Sequence, residues 1–82
     1  MEANDYVSLK DEGNAQFKSG NYSEALIHYT KALDIATQSG DKSSAEFRST
    51  VHNNQAACYL KLNKPSQAYL EASKGISTIL TI

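Results

Sequence analysis

The chain has 82 residues, of which 40% are hydrophobic, and its 8 basic and 9 acidic side chains leave a formal net charge of -1. This length indicates one small soluble domain, too small to enclose a large active-site cavity within its own core, so we do not expect an enzyme. Cys58 is the only cysteine and cannot form an internal disulfide, and the first residues do not form a basic and apolar leader. These features predict a cytoplasmic protein.

Charge is unevenly distributed along the chain. Residues 1–41 carry seven acidic residues and three lysines, whereas residues 42–82 carry five basic and two acidic residues. Five basic residues spread over the second half make a poor nucleic-acid footprint, and no apolar run approaches the roughly 18 residues of a membrane span. Neither nucleic acid nor a membrane is predicted as a partner, and His28 and His52 lack the neighbours of a metal site, so neither a metal nor a cofactor is expected.

Apolar residues recur at helical spacing through four segments, and none alternates as a strand would. Helices are predicted over residues 5–19 and 22–38, separated by the breaker Gly20-Asn21. A third helix begins after Ser43, where Glu46 completes a capping box, and ends near residue 62. Pro65 suits the first turn of a fourth helix. The predicted buried stripe of that helix consists of Ala68, Tyr69, Ala72, Ile76, Ile79 and Leu80.

The two predicted hairpins repeat the same pattern. At an offset of 43 residues, identical residues pair as Lys18 with Lys61, Ser23 with Ser66, Ala25 with Ala68, and Lys31 with Lys74. Small residues also recur at matching places in both halves, as close helix packing requires. The chain therefore contains one helical hairpin twice.

The residues from Leu9 to Leu33 read Leu-x-x-x-Gly-Asn-Ala-x-Phe-Lys-x-Gly-Asn-Tyr-x-Glu-Ala-x-x-x-Tyr-x-x-Ala-Leu. This pattern resembles the tetratricopeptide repeat, a helix-turn-helix unit of about 34 residues. The resemblance implies one all-α domain over residues 1–82, in which two helix-turn-helix hairpins stack as an antiparallel α-α superhelix. The repeats would cover residues 6–39 and 49–82, with an insertion at 40–48 that either lengthens the third helix or carries a specificity contact.

In such stacks the first helix of each hairpin lines a concave face. Lys10, Asn14 and Phe17 share one face of the first helix, and Asn54 and Lys61 share a face of the third, with Ala57 and Leu60 between them. An ammonium group and amide donors on neighbouring helices can hold a carboxylate. Taken alone, Lys10 and Asn14 could equally be ordinary solvated residues, and Phe17 could belong to the core.

The segments Leu-Lys-Asp-Glu-Gly-Asn at 9–14 and Asn-Asn-Gln-Ala-Ala-Cys-Tyr-Leu-Lys at 53–61 resemble those of carboxylate-clamp cochaperones, both Hop-like and myosin-directed UCS types. That resemblance implies a cochaperone adaptor that binds the Glu-Glu-Val-Asp tail of heat-shock chaperones of the 70 and 90 kDa classes. Matching positions imply carboxylate contacts by Lys10, Asn14 and Asn54, a further basic contact by Lys61, and groove contacts by Phe17, Ala57 and Leu60. The Lys and Arg that a third repeat usually adds are missing, which predicts a partial clamp with millimolar to high-micromolar affinity.

The last helix predicts an alternative role. Ile76, Ile79 and Leu80 have no following helix to cover them, whereas stacked repeats normally need a polar cap. Either the chain is a fragment of a longer protein, or this edge pairs with a second copy in a symmetric homodimer. A structural scaffold that uses this edge is therefore the competing hypothesis to the peptide-binding adaptor.

Overall fold

The computed structural model describes the backbone of residues 6–39 and 44–80 and the side chains of residues 6–38 and 44–75. Four α-helices follow one another: α1 (Tyr6–Lys18), α2 (Tyr22–Ser39), α3 (Ser44–Lys61) and α4 (Pro65–Leu80). The described ranges contain no strand, so the all-α prediction is confirmed. The α3 helix has 18 residues against 13 in α1, and it already includes residues 44–48 of the predicted insertion.

The turns inside the two hairpins have the same backbone geometry. Gly20 has φ 84° and Asn63, its counterpart in the second hairpin, has φ 63°. In the first turn the Asn21 N–H donates to the Gln16 carbonyl at 2.9 Å, and in the second the Lys64 N–H donates to the Tyr59 carbonyl at 2.7 Å. These are Schellman closures, which need a left-handed residue after the helix. The repeat seen in the sequence therefore extends to the backbone.

Each helix packs against the next, and small residues allow them to approach closely. Of the nine buried hydrophobic residues among the described side chains, six are alanines at positions 25, 32, 36, 45, 56 and 68. Tyr29, Val51 and Cys58 supply the larger buried side chains, and Phe17, Leu26 and Phe47 pack against their cluster. The resulting molecule measures 33 × 33 × 14 Å between Cα atoms, a slab in which few large side chains hold the helices together.

Helices α1 and α2 approach each other closely at Gly13. A Cβ atom on Gly13 would lie 2.6 Å from Cε1 of Tyr29, well inside van der Waals contact. Tyr29 is 1% exposed and so has no open space to move into. Glycine is therefore required at position 13, because the Tyr29 ring of α2 packs directly on the backbone of α1.

The exposure of Tyr69 shows that its predicted place in the buried stripe of α4 is wrong. The sequence placed Tyr69 in the core, but it is 73% exposed. Its counterpart in the first hairpin is Leu26, which packs against the core cluster beside α3. Within the described chain no helix takes the place beside α4 that α3 takes beside α2, so Tyr69 remains uncovered.

Candidate functional site

A pocket of about 270 Å³ opens between α1 and α3. Helix α1 contributes three wall residues, α3 contributes two, and the ring edge of one α2 residue reaches the floor. The lining residues are Asn14, Phe17, Lys18, Tyr29, Asn54 and Ala57. Four of the predicted site residues, Asn14, Phe17, Asn54 and Ala57, therefore line one pocket although they are about 40 residues apart in the sequence.

The two asparagines on the walls are linked through one oxygen atom. Oδ1 of Asn14 accepts a hydrogen bond from the Tyr29 hydroxyl at 2.5 Å and another from Nδ2 of Asn54 at 3.3 Å. With its oxygen occupied by two donors, Asn14 retains the N–H groups of Nδ2, and Asn54 retains one further N–H. The asparagine pair can therefore donate hydrogen bonds to an anion in the pocket.

Phe17 serves both the core and the pocket. Its ring centroid lies 5.1 Å from that of Tyr22 in an edge-to-face contact, and it packs against the core cluster. It also lines the pocket, where it offers an apolar wall. The two roles considered for Phe17 from the sequence are thus combined.

Lys10 lies outside the pocket lining, further toward the start of α1. Its Nζ atom is 5.6 Å from the centroid of the Phe47 ring, within the range of a cation–π interaction. The Tyr6 ring packs on the same Phe47 ring at 4.6 Å between centroids. Lys10 therefore lies against α3, and its ammonium group is held over the Phe47 ring outside the pocket lining.

Leu60 and Lys61, at the end of α3, are both exposed, and neither lines the pocket. Leu60 is 62% exposed. The structure thus separates them from the groove residues with which the sequence grouped them. The predicted association edge at Ile76, Ile79 and Leu80 lies outside the described side chains, and pairing through it stays a prediction.

Two pocket residues were missing from the predicted site. Lys18 is the only lysine among the described residues that line the pocket, and its position four residues after Asn14 on α1 could have indicated that the two share one face. The spacing of Tyr29 on α2 is that of a core residue, and spacing alone does not indicate that it also lines the site. Its ring is in the core, but its hydroxyl reaches the site.

Among the described residues, no group of three or more His, Cys, Asp and Glu side chains could hold a metal ion.

His52 Nδ1 lies 2.8 Å from Oε1 of Glu71, which links α3 to α4. His28 Nδ1 lies 3.5 Å from Oε1 of Glu12, which links α2 to α1. His52 therefore connects two neighbouring helices through a hydrogen bond, whereas Nδ1 of His28 is buried without a hydrogen-bond partner among the described residues. In the part of the chain that is described, no helix is both long enough and apolar enough to cross a membrane.

Cys58 is inaccessible to reagents in the folded state. It is 0% exposed, and burial raises the pKa of its thiol to about 11, so the reactive thiolate is scarce at neutral pH. We expect iodoacetamide to label the folded chain at least about 100-fold more slowly than the chain in denaturant, because labelling requires unfolding. Mass spectrometry of timed samples measures both rates, and equal rates would contradict the burial.

Known proteins resemble the chain over most of its length. The family model described as Tetratricopeptide repeat matches residues 7–39. "Protein unc-45 homolog B" of Xenopus tropicalis is 42% identical over 72 residues, which are 88% of this chain and 7% of that protein. "Sperm-associated antigen 1A" of Danio rerio is 40% identical over 68 residues, 83% of this chain and 16% of that protein. "Sperm-associated antigen 1" of Homo sapiens is 36% identical over 70 residues, 85% of this chain and 8% of that protein.

The chain therefore spans less than a fifth of the length of these relatives. No solved structure matches it.

Proposed function

Because this chain belongs to the tetratricopeptide repeat family, we propose that it is a cytoplasmic adaptor whose groove binds the free C-terminal carboxylate of an acidic peptide. The proposed ligand is a tail of the Glu-Glu-Val-Asp type, as found on heat-shock chaperones of the 70 and 90 kDa classes. Repeats of this family form concave surfaces for protein–protein interaction. The role requires no chemistry from the chain, only donors and positive charge in the groove.

The observation that carries this proposal is the meeting of Asn14 and Asn54. Their side chains come from helices 40 residues apart and lie 3.3 Å from each other in the wall of one pocket. Both amides have N–H groups left for a ligand, and Lys18 lines the same pocket. Donors and a positive charge together favour a carboxylate over a neutral amide, since charge-assisted hydrogen bonds are the stronger kind.

Lys10 would act at the entrance of the groove. The ring of Phe47 beneath its ammonium group limits where the side chain can lie without neutralising its charge. An acidic side chain of the ligand, rather than its terminus, fits a contact outside the pocket. Lys61, exposed at the end of α3, would add positive potential at longer range, and that contribution would be screened by salt.

The test is a binding titration with the peptide Met-Glu-Glu-Val-Asp and with the same peptide amidated at its C-terminus. We expect the free acid to bind in the millimolar to high-micromolar range and to shift the amide resonances of Asn14, Asn54 and the neighbouring groove residues. The amidated peptide should bind at least about tenfold more weakly, because it loses a charge-assisted hydrogen bond. Equal binding of both peptides, or binding of neither, would contradict the proposal.

Matched variants make the test specific to the groove. Asn54→Ala should weaken binding of the free acid about tenfold, since it removes an N–H donor from the pocket wall. Asn53→Ala, one residue earlier on the same helix but exposed, is the control and should leave binding unchanged. For charge, Lys10→Ala is compared with Lys31→Ala on α2, which is exposed and outside the pocket lining. Asn54→Ala and Lys10→Ala should lose affinity for the free-acid peptide, whereas their two controls should keep it.

A further inference from the structure

The Tyr29 side chain has a buried end and a functional end. Its ring lies in the core at 1% exposure, against the backbone of Gly13. Its hydroxyl emerges at the pocket and donates to Oδ1 of Asn14. Burial, with a smaller contribution from Cys58, raises the pKa of Tyr29 to about 12. The hydroxyl therefore keeps its proton at physiological pH and remains a donor.

The orientation of the Asn14 amide decides what the pocket offers to a ligand. An asparagine amide has an acceptor end and a donor end, and rotating it by half a turn exchanges the two. Here the Tyr29 hydroxyl and Nδ2 of Asn54 both donate to the oxygen end. If the amide turned over, its NH₂ group would face the NH₂ group of Asn54. The observed arrangement leaves the NH₂ end of Asn14 for the ligand.

The shorter of these two hydrogen bonds comes from Tyr29, at 2.5 Å against 3.3 Å from Asn54. Without the hydroxyl, only the longer bond would keep the Asn14 oxygen turned away from the ligand. The Tyr29 ring is fixed by the core, so its hydroxyl oxygen has a set position, from which it donates to Asn14 in the observed arrangement. A donor held in place before the ligand arrives avoids the cost of ordering it on binding.

We propose that Tyr29 is a positioning residue that holds the Asn14 amide with its N–H groups toward the ligand, so that the pocket selects a carboxylate over a carboxamide. This inference rests on the proposed function, because it concerns how the same groove recognises a free C-terminus. In this proposal Tyr29 sets the geometry that selects the anion. It is the one residue of α2 among the described residues that line the pocket. Lys18 supplies a positive charge to the pocket. Tyr29 determines whether the N–H groups or the oxygen atom of Asn14 faces the ligand.

Tyr29→Phe tests the inference, because it keeps the ring against Gly13 and removes only the hydroxyl. The quantity measured is the ratio of the dissociation constants of amidated and free Met-Glu-Glu-Val-Asp. We expect this ratio to fall from at least about tenfold in the wild type to about twofold in Tyr29→Phe, as the Asn14 amide loses its fixed orientation. Tyr22→Phe is the matched control, a half-buried tyrosine on the same helix whose ring touches Phe17, and it should keep the wild-type ratio.

A second readout does not depend on the ligand. The side-chain NH₂ resonances of Asn14 in a ¹H–¹⁵N spectrum should shift in Tyr29→Phe and stay in place in Tyr22→Phe. A purely structural role for the hydroxyl would leave both the ratio and these resonances unchanged once circular dichroism shows that the variant is folded. Should Tyr29→Phe not fold, the wild type itself supplies the test: the free acid should shift the side-chain NH₂ resonances of Asn14, because the inference places these N–H groups against the ligand.

The outcomes separate the inference from the proposed function. If the wild type prefers the free acid and Tyr29→Phe does so equally, the role of Tyr29 is overturned and the peptide-binding function stands. If the free acid binds the wild type without shifting the Asn14 side-chain NH₂ resonances, donor orientation is again overturned. If the wild type binds neither peptide, or binds both equally, the proposed function fails and the inference fails with it.

Discussion

Replacing Tyr29 by alanine is expected to unfold most of the chain at room temperature. Tyr29 is the largest fully buried side chain among the described residues, and truncating a buried aromatic residue to alanine typically costs about 3–5 kcal/mol. A domain of this size has a total stability of about 5 kcal/mol, near the lower limit for folded proteins. The measurement is urea unfolding followed by circular dichroism at 222 nm, where we expect the folded baseline to be lost.

Tyr69→Ala is the matched control for this result. It makes the same chemical change at a side chain that is 73% exposed. Surface substitutions of this kind usually change stability by less than about 0.5 kcal/mol. If Tyr69→Ala destabilised the chain as much as Tyr29→Ala, the assignment of Tyr29 as the main core aromatic residue would be wrong.

Gly13→Ala is expected to destabilise the protein although alanine is the better helix former. In an unconstrained helix interior the change would gain about 1 kcal/mol. Here the new Cβ would lie 2.6 Å from a buried ring carbon, and forcing an extra carbon into a packed core costs about 1–3 kcal/mol. We expect a net loss of stability of up to about 2 kcal/mol, measured as a lower urea midpoint with an unchanged slope.

A double-mutant cycle identifies the Tyr29 ring as the cause of that loss. Tyr29→Leu removes the ring and lowers stability by itself, but it leaves space for a Cβ at position 13. In the Tyr29→Leu background, Gly13→Ala should therefore cost less than in the wild type, or become stabilising. The same cost in both backgrounds would place the strain elsewhere on α1.

The fold follows closely from the sequence because its determinants are local. Helical periodicity, the breaker at Gly20 and the first-turn Pro65 predict the four helices, whose observed bounds differ from the predicted ones by one or two residues. The 43-residue offset predicts that the hairpins repeat, and the matching turns at Gly20 and Asn63 confirm it. Tyr69 was placed wrongly because burial depends on what packs beside a helix, and the period of that helix carries no information about its neighbour.

The site was predictable only in part. Spacing within α1 and α3 placed Asn14 and Asn54 on facing surfaces, and the two side chains do meet. The contribution of Tyr29 was not predictable, because a core residue that sends its hydroxyl into a pocket has the same spacing as one that does not. Nor does spacing indicate that Lys10 lies on the Phe47 ring of another helix while Lys18 enters the pocket.

The 14 Å thickness of the slab between Cα atoms limits which amino-acid substitutions the protein tolerates. Because the Cα atoms of one α-helix lie on a cylinder of radius about 2.3 Å and packed helices lie about 8–10 Å apart, a Cα extent of this order corresponds to two layers of helices. Two layers enclose a single core, and Tyr29, which is buried in that core, also lines the pocket. A substitution in the core of this protein therefore also changes the shape of the pocket. The residues of the core and those of the groove cannot be substituted independently of each other.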